Sequence, residues 1–365
     1  MTIIPYDPKI QPAVFIKAEA ESMTARTARN SLDSAQYAQR HLSFGNRTAY
    51  IVKHLPKMVP FPLSGVIAAQ EGNGPIVQEA HYPSFQRPFT TEDSFNALSI
   101  GKLFTRTAIM QLVEAGKLDL STPLSELLDP DEIDVPLHPP YLSQKPDKAS
   151  LEQLKKHMDE ITVGHLLSHT GGFVERPEDT TKKIEEGENW NRMHFYWGEH
   201  SYSNYGYQLL AVIVGKHSPY KTPTTTPLEA FRAHIENEVF KPAGMTGSPA
   251  PQRKIDCFEI TKMNPPKYDN SPAPYPHGNG CWSLTAKDLL AFERTHMSPL
   301  TSDPAIGFDE NRDEEGSLLG RGHPGGGPGM SSFLHRWEDR SLTIAGLFNY
   351  SGCEMTKPTL DQLLQ

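Results

Sequence analysis

Phe95-Asn96-Ala97-Leu98-Ser99-Ile100-Gly101-Lys102-Leu103-Phe104-Thr105-Arg106-Thr107-Ala108-Ile109-Met110-Gln111-Leu112 is the stretch from which the rest of the chain is read. It predicts a short approach segment and then a buried helix opening at Ser99. Leu103, Thr107, Ala108 and Met110 through Val113 keep a helical period rather than a strand's alternation, and Gly116 stops the run as a helix C-terminus would. Ser99 and Lys102 stand three apart, so on a helix they share one face. A serine hydroxyl is a poor nucleophile until a neighbouring base takes its proton. Burial disfavours an ammonium, so an amine held against Ser99 away from water is a candidate for that base. The N–H groups at the helix start offer partners to a developing oxyanion. The same spacing recurs at Ser218 and Lys221, but there Pro219 and the run Thr222-Pro223-Thr224-Thr225-Thr226-Pro227 suit a surface loop. A serine N-cap beside a solvated lysine would satisfy the spacing equally, and only further motifs separate the two.

At 365 residues the chain is long enough to bury a substantial core in one large domain or two. Its 32 prolines exceed the ~5% of an average chain and predict many ordered loops. A net charge of −9 and the lack of a basic stripe argue against nucleic acid as a partner. Cys257, Cys281 and Cys353 are odd in number and widely spaced, giving neither a disulfide framework nor a paired zinc motif. No apolar run approaches the ~20 residues of a membrane span, and Met1 to Lys9 lacks a charged-then-apolar signal pattern. The expectation is a soluble cytoplasmic protein with no membrane partner.

Ser31 to Leu42 reads as a helix and Tyr50-Ile51-Val52 as a short strand, although residues 1–60 carry weak patterning. Ser64 to Val77 predicts two strands about a Gly-Asn-Gly turn. A short helix follows Pro123, and the Pro- and Asp-rich residues 129–150 predict loop. Further helices are expected over Glu152 to Met158, Val163 to Leu167, Tyr205 to Lys216, Leu228 to Phe240, and Thr285 to Thr295 with Thr285 as N-cap. Residues 262–280 and the acidic residues 301–316 predict loops. The chain closes with a strand pair, Ser332 to Trp337 and Leu342 to Asn349, and a helix from Thr359 to Leu364. Strands at both ends around a helical middle predict an α/β (α+β) fold. One antiparallel sheet is built from residues 61–120 and 281–365, and residues 121–280 form an inserted, mostly helical lobe. Residues 1–60 would be an N-terminal extension, and a cleft between the lobes is the natural place for a site.

Three further stretches carry chemistry. Tyr202-Ser203-Asn204 stands just before the helix at Tyr205. A phenol near an ammonium loses its proton more easily, so Tyr202 is a second candidate base, and Asn204 could hold Lys102 or a substrate carbonyl. A plain aromatic anchor would fit the pattern too, and Tyr268-Asp269-Asn270 matches it, but in a Pro-rich loop with no helix after it. The second stretch, Gly322-His323-Pro324-Gly325-Gly326-Gly327-Pro328-Gly329, leads into the terminal strand pair. Its glycines would let backbone approach a ligand, and His323 would supply a polar group at the cleft edge; a flexible Gly-rich turn is the alternative. In the third, Thr162 to Gly172, His165 and His169 lie one turn apart, but the Glu of a His-Glu-x-x-His site and a third ligand are missing. Structural histidines are the expectation, and no metal.

Taken in order, Ser99-Ile100-Gly101-Lys102, Tyr202-Ser203-Asn204 and His323-Pro324-Gly325 resemble the motif set of the serine β-lactamase and penicillin-binding-protein superfamily. The branch is that of class C β-lactamases, D-Ala-D-Ala carboxypeptidases, D-aminopeptidases and family VIII esterases. Leu112 to Leu120, His165 to Gly172, Tyr202 to Leu210 and Pro242 to Met245 share the likeness, which covers roughly residues 64–350. The resemblance implies a β-lactamase-like fold and acyl transfer without metal or cofactor. By it, Ser99 is the nucleophile, Lys102 assists its deprotonation, Tyr202 is general base and then acid, and Asn204 positions. The N–H groups of Ser99 and Gly326 would form the oxyanion hole, with His323 and Gly325 on the substrate.

The chain departs from that pattern at Pro324, where a threonine usually stands. Proline removes a hydroxyl and an N–H that the resemblance assigns to a substrate carboxylate. The expectation therefore moves toward a serine esterase acting on a small-molecule ester, with amide or peptide substrates as the alternative (D-amino-acid peptidase or amidase, carboxypeptidase, β-lactamase). A catalytically silent binding or assembly module of the same fold is the non-enzyme alternative. An α/β-hydrolase is disfavoured, because no Gly-x-Ser-x-Gly elbow is present.

Overall fold

The computed structural model describes residues 44–55, 64–82, 88–130, 132–133, 148–174, 194–195, 200–247, 256–257, 268–269, 278–280, 282–297, 307, 309–312, 318–327 and 329–349. The helices expected over Ser31 to Leu42 and Thr359 to Leu364 lie outside these residues.

Helix α1 (Phe44–His54) precedes strands β1 (Gly65–Glu71) and β2 (Val77–His81), which are joined by the expected turn. Strand β3 (Phe95–Asn96) leads through a tight 3-10 turn (Leu98–Ile100) into α2 (Gly101–Glu114). Then come α3 (Leu124–Leu127), α4 (Lys148–His157) and α5 (Val163–Leu167), the short strands β4 (Phe173–Val174) and β5 (His194–Phe195), and α6 (Asn204–His217). Helix α7 (Pro227–His234) continues through Ile235–Phe240 into α8 (Lys241–Ala243). After β6 (Asp256–Cys257), β7 (Tyr268–Asp269) and β8 (Ser283–Leu284), α9 (Ala286–Phe292) starts on Thr285. Its hydroxyl accepts from Asp288 N and closes a capping box. The chain ends in β9 (Asp309–Arg312), β10 (Leu318–Gly327), β11 (Met330–Trp337) and β12 (Leu342–Phe348).

Six of these strands form one antiparallel sheet in the order β2-β1-β12-β11-β10-β9. Both ends of the described chain meet at its centre, where β1 lies beside β12. Every residue of those two strands is buried, because the sheet is covered on both faces. On one face Ile67, Ala69, Phe333, Trp337, Leu342, Ile344 and Phe348 pack with Ile51, Val52 and Leu55 of α1 and its end. On the other, Val66, Ala68, Leu334, Ala345 and Leu347 join the large core of the helical region.

Three expectations are corrected. Tyr50-Ile51-Val52 is helix, not strand: Thr48, Ile51, Val52 and Leu55 are spaced i, i+3, i+4, i+7 and all are buried. Burial of the three apolar side chains against the sheet is worth roughly 1.5–3 kcal/mol each, so this part of residues 1–60 belongs to the fold. Asp309–Arg312, expected as loop, is the edge strand β9, held by pairing with Leu318 to Gly322. Tyr268–Asp269, within residues 262–280 expected as loop, is the short strand β7, paired with β6. The Gly-rich stretch is the end of the ten-residue strand β10, held by ladder bonds to Met330 through Trp337.

Candidate functional site

Helix α2 is buried almost all round, from Gly101 through Met110 and at Leu112. Its buried surface is not all apolar, since Lys102, Thr105, Arg106 and Thr107 are enclosed with the rest, and the turn at its start is enclosed with it. Leu98 there takes φ 52°, in the left-handed region. Such a backbone is costly for leucine, and the surroundings hold it. Leu98 N donates to Asn96 Oδ1 at 2.8 Å, and Ile100 N to Ala97 O at 3.2 Å. Between them, the Ser99 N–H has no backbone partner among the described residues.

Lys102 is fully buried. Its Nζ donates to Ser99 Oγ at 3.3 Å, to Asn204 Oδ1 at 2.7 Å and to Asn279 O at 3.2 Å. The close approach of Gly280 to α2 brings Asn279 there: a Cβ on Gly101 would sit 2.6 Å from Gly280 Cα. Asn204 is the first residue of α6, and the Ser203 hydroxyl caps that helix by accepting from Gly206 N at 3.0 Å.

Tyr202 presents its ring to the same ammonium, with Lys102 Nζ 4.6 Å from the ring centroid, within cation–π range. It is one of two large hydrophobic side chains left exposed among the described residues. Tyr207 lies 5.6 Å from Nζ. The His169 ring packs 4.7 Å from Tyr202 and 5.1 Å from Tyr207, and its Nδ1 accepts from Ser203 N at 3.0 Å.

Strand β10 forms the facing wall. His323, Gly325 and Gly327 alternate onto one side, and both glycines abut Leu98. Gly325 is buried and Gly326 is exposed. A Cβ on Gly325 would meet Ser332 Oγ, Leu98 Cβ and Ala97 O, so this position packs the strand onto the Ser99 turn. Ser332 Oγ donates to Ala97 O at 2.8 Å and ties β11 to the same turn. Strand β9 accompanies β10 only as far as Gly322, so Gly326 lies beyond it.

The His323 ring is 6.2 Å from that of Tyr202, and its Nδ1 donates to Pro324 O. Burial, and next the Lys102 charge, push its pKa down to about 3 despite that bond. His169 is pushed down to about 3 by burial, then by Lys102, His323 and His200. Both imidazoles are thus neutral at pH 7. Instead of the cation that a histidine could present at the cleft edge, this wall carries an uncharged ring.

The structure therefore brings Ser99, Lys102, Tyr202, Asn204 and His323 together from α2 and the turn before it, from the start of α6 and the segment before it, and from β10. The second Ser-x-x-Lys copy is elsewhere: Ser218 Oγ meets His234 Nδ1 at 3.3 Å, and Lys221 Nζ donates to Thr222 O at 2.9 Å and to Thr225 O. His165 caps α5, its Nδ1 accepting from Thr162 N at 3.2 Å. Among the described residues no group of three or more His, Cys, Asp or Glu could hold a metal ion, and no helix is long and apolar enough to cross a membrane.

A model of the Beta-lactamase family matches residues 63–359, most of the chain. The chain belongs to the Beta-lactamase family. It is 28% identical over 244 residues, 63% of its own length, to the "Putative penicillin-binding protein PbpX" of Bacillus subtilis (strain 168), and spans 49% of that relative. Among solved structures it resembles a penicillin-binding protein from Bacillus halodurans (TM-score 0.57, 21% identity, 83% of this chain and 94% of that one). It also resembles the D-amino acid amidase from Ochrobactrum anthropi SV3 (TM-score 0.57, 17% identity, 87% and 96%). The fold is thus that of the serine β-lactamase and penicillin-binding-protein superfamily, as the motif set suggested.

Four features of this Beta-lactamase-family site escape a reading of its sequence. They are the left-handed Leu98, the Asn279 carbonyl, the Ser332 tie and the placing of His169 against Tyr202. Asn279 and Ser332 contribute through contacts across 177 and 235 residues, which leave no local pattern. His169 stood in a quoted motif, but its spacing to His165 pointed to a metal question instead.

Proposed function

We propose that this chain is a serine hydrolase that forms an acyl-enzyme at Ser99, with esters as its preferred substrates. The observation that carries the proposal is the buried Lys102 Nζ, 3.3 Å from Ser99 Oγ and anchored by Asn204 and Asn279. With the amine neutral, the same contact reverses, and Nζ accepts the Ser99 proton as Oγ attacks the acyl carbonyl. Tyr202, against the same ammonium, is the base that can share that proton and then return it to the leaving alkoxide. Water, deprotonated by the same pair, then releases the acyl group. The N–H groups of Ser99 and Gly326 are the proposed oxyanion donors, and Asn204 holds Lys102 in place.

The preference for esters without a free carboxylate rests on the β10 wall, where Pro324 has no N–H and His323 is uncharged. Intact-mass analysis after exposure to a fluorophosphonate tests the nucleophile: one adduct is expected on the native protein and none on Ser99→Ala. A matched panel tests the substrate, comparing p-nitrophenyl butyrate, p-nitrophenyl hemisuccinate and a butyryl anilide. The uncharged ester is expected to turn over fastest. Absence of both adduct and turnover would overturn the hydrolase in favour of a silent binding module, and faster anilide cleavage would favour an amidase.

A further inference from the structure

His169 meets the segment around Tyr202 at two points. Its carbonyl accepts from Ser201 N at 2.9 Å, and its ring Nδ1 accepts from Ser203 N at 3.0 Å. These bonds fall on either side of Tyr202, so the residue between them is fixed in backbone as well as in ring packing. The backbone of His169 is itself unusual, at φ 59°. Non-glycine residues rarely adopt that conformation without a local reason. Here the turn after α5, with Thr170 N donating to His165 O at 2.9 Å, swings the ring back beneath Tyr202.

An imidazole accepts at Nδ1 only when neutral, with its proton on Nε2. The charged and titratable groups around this ring are Lys102 from α2, His323 from β10 and His200 from the preceding loop, with Tyr202 and Tyr207 against its faces. Lys102 and any protonated neighbour would repel a second cation, and burial disfavours it further. The surroundings thus select the one protonation state that can hold Ser203.

We propose that His169 is a positioning residue: as a neutral imidazole it clamps residues 201–203 so that Tyr202 stays against Lys102. This inference rests on the reading of Ser99 and Tyr202 given above. The Nδ1 acceptor carries it, and the ring's packing on Tyr202 and Tyr207 is secondary.

The test is the rate of Ser99 labelling by a fluorophosphonate, read by mass on the full chain alongside the melting temperature. His169→Asn keeps an acceptor the same number of bonds from the backbone and tolerates the left-handed region, so labelling within about 3-fold of the native rate is expected. His169→Phe keeps a ring and loses the acceptor, and labelling should fall by at least ~30-fold, the scale of a reacting group displaced by under 1 Å. Should the Phe variant fail to fold, His169→Gly removes the acceptor while accepting the backbone angle, and the same loss is expected. Combined with Tyr202→Phe, the Phe variant should cost nothing further, since two residues acting as one unit are not additive. Native-rate labelling in the Phe or Gly variant, an equal loss in a folded Asn variant, or additive losses with Tyr202→Phe would overturn the clamp alone. A native protein that takes no label would withdraw the Ser99 reading and the clamp with it.

Discussion

Gly325→Ala probes how tightly β10 is pressed against the turn that carries Ser99. The added methyl would lie 2.3 Å from Ser332 Oγ, 2.9 Å from Leu98 Cβ and 3.0 Å from Ala97 O, all inside the ~3.5–4.0 Å of an ordinary contact. Two of those atoms belong to the approach to Ser99, and the third makes the 2.8 Å bond to Ala97 O. Relief requires the strand and the turn to part, or Ser332 to give up its bond. Overpacking of this kind costs about 1–3 kcal/mol and a lost buried hydrogen bond about 1 kcal/mol. The expected destabilisation is therefore roughly 2–4 kcal/mol, a fall on the order of 5–10 °C in Tm. Parting the turn from Gly326 by ~1 Å should also slow fluorophosphonate labelling by about 10²-fold. Calorimetry and labelling rate measure the two effects. Ser332→Ala removes the nearest clashing atom, so the double variant should be less destabilised than the two single losses added together. A Gly325→Ala protein with native Tm and native labelling rate would refute this account of the strand's position.

Two further outcomes follow from Lys102 and the two neutral histidines. Lys102→Met should lower the labelling rate by ~10³-fold or more, the scale of a lost catalytic base. Stability should change little, because the acceptors left at Asn204 and Asn279 offset relief from burying a charge. In that variant the ring signals of His169 and His323 should titrate higher than about 3, since the Lys102 charge helps hold both down; unmoved titrations would refute the coupling. Both rings sit at about 3 in the folded protein and near ~6.5 when unfolded. Between those values the unfolded chain binds more protons, so stability is fullest above ~6.5 and falls as the pH drops toward 3. Each ring contributes up to ~1.4 kcal/mol per pH unit. Urea unfolding between pH 7 and pH 4.5 should show this slope, shallower in His169→Asn, and equal slopes in the two proteins would contradict it.

Local patterns in the chain reached far. The apolar period after Ser99 determines a buried helix, and the Ser-x-x-Lys spacing puts two side chains on one face of it, because helical geometry is set within a turn. Capping chemistry likewise marks Thr285 as the start of α9, and Ser332 to Trp337 and Leu342 to Asn349 are legible as a strand pair. Where a segment's conformation depends on distant partners, the sequence is silent. Asp309–Arg312 is a strand only because Leu318 to Gly322 pairs with it, and the glycines of β10 are extended only because β11 lies alongside. The three motifs could be put in order but not in contact: that Lys102 meets Asn204 across 102 residues is decided by the crossing of two buried helices. The uncharged state of His323 is likewise a property of its burial and of the ammonium nearby, not of its place in a motif. Sequence by itself singled out Ser99, Lys102, Tyr202, Asn204 and His323 as candidates for acyl transfer. Tertiary packing decided which of them meet, and in what charge state, because both depend on what surrounds a group rather than on what precedes it in the chain.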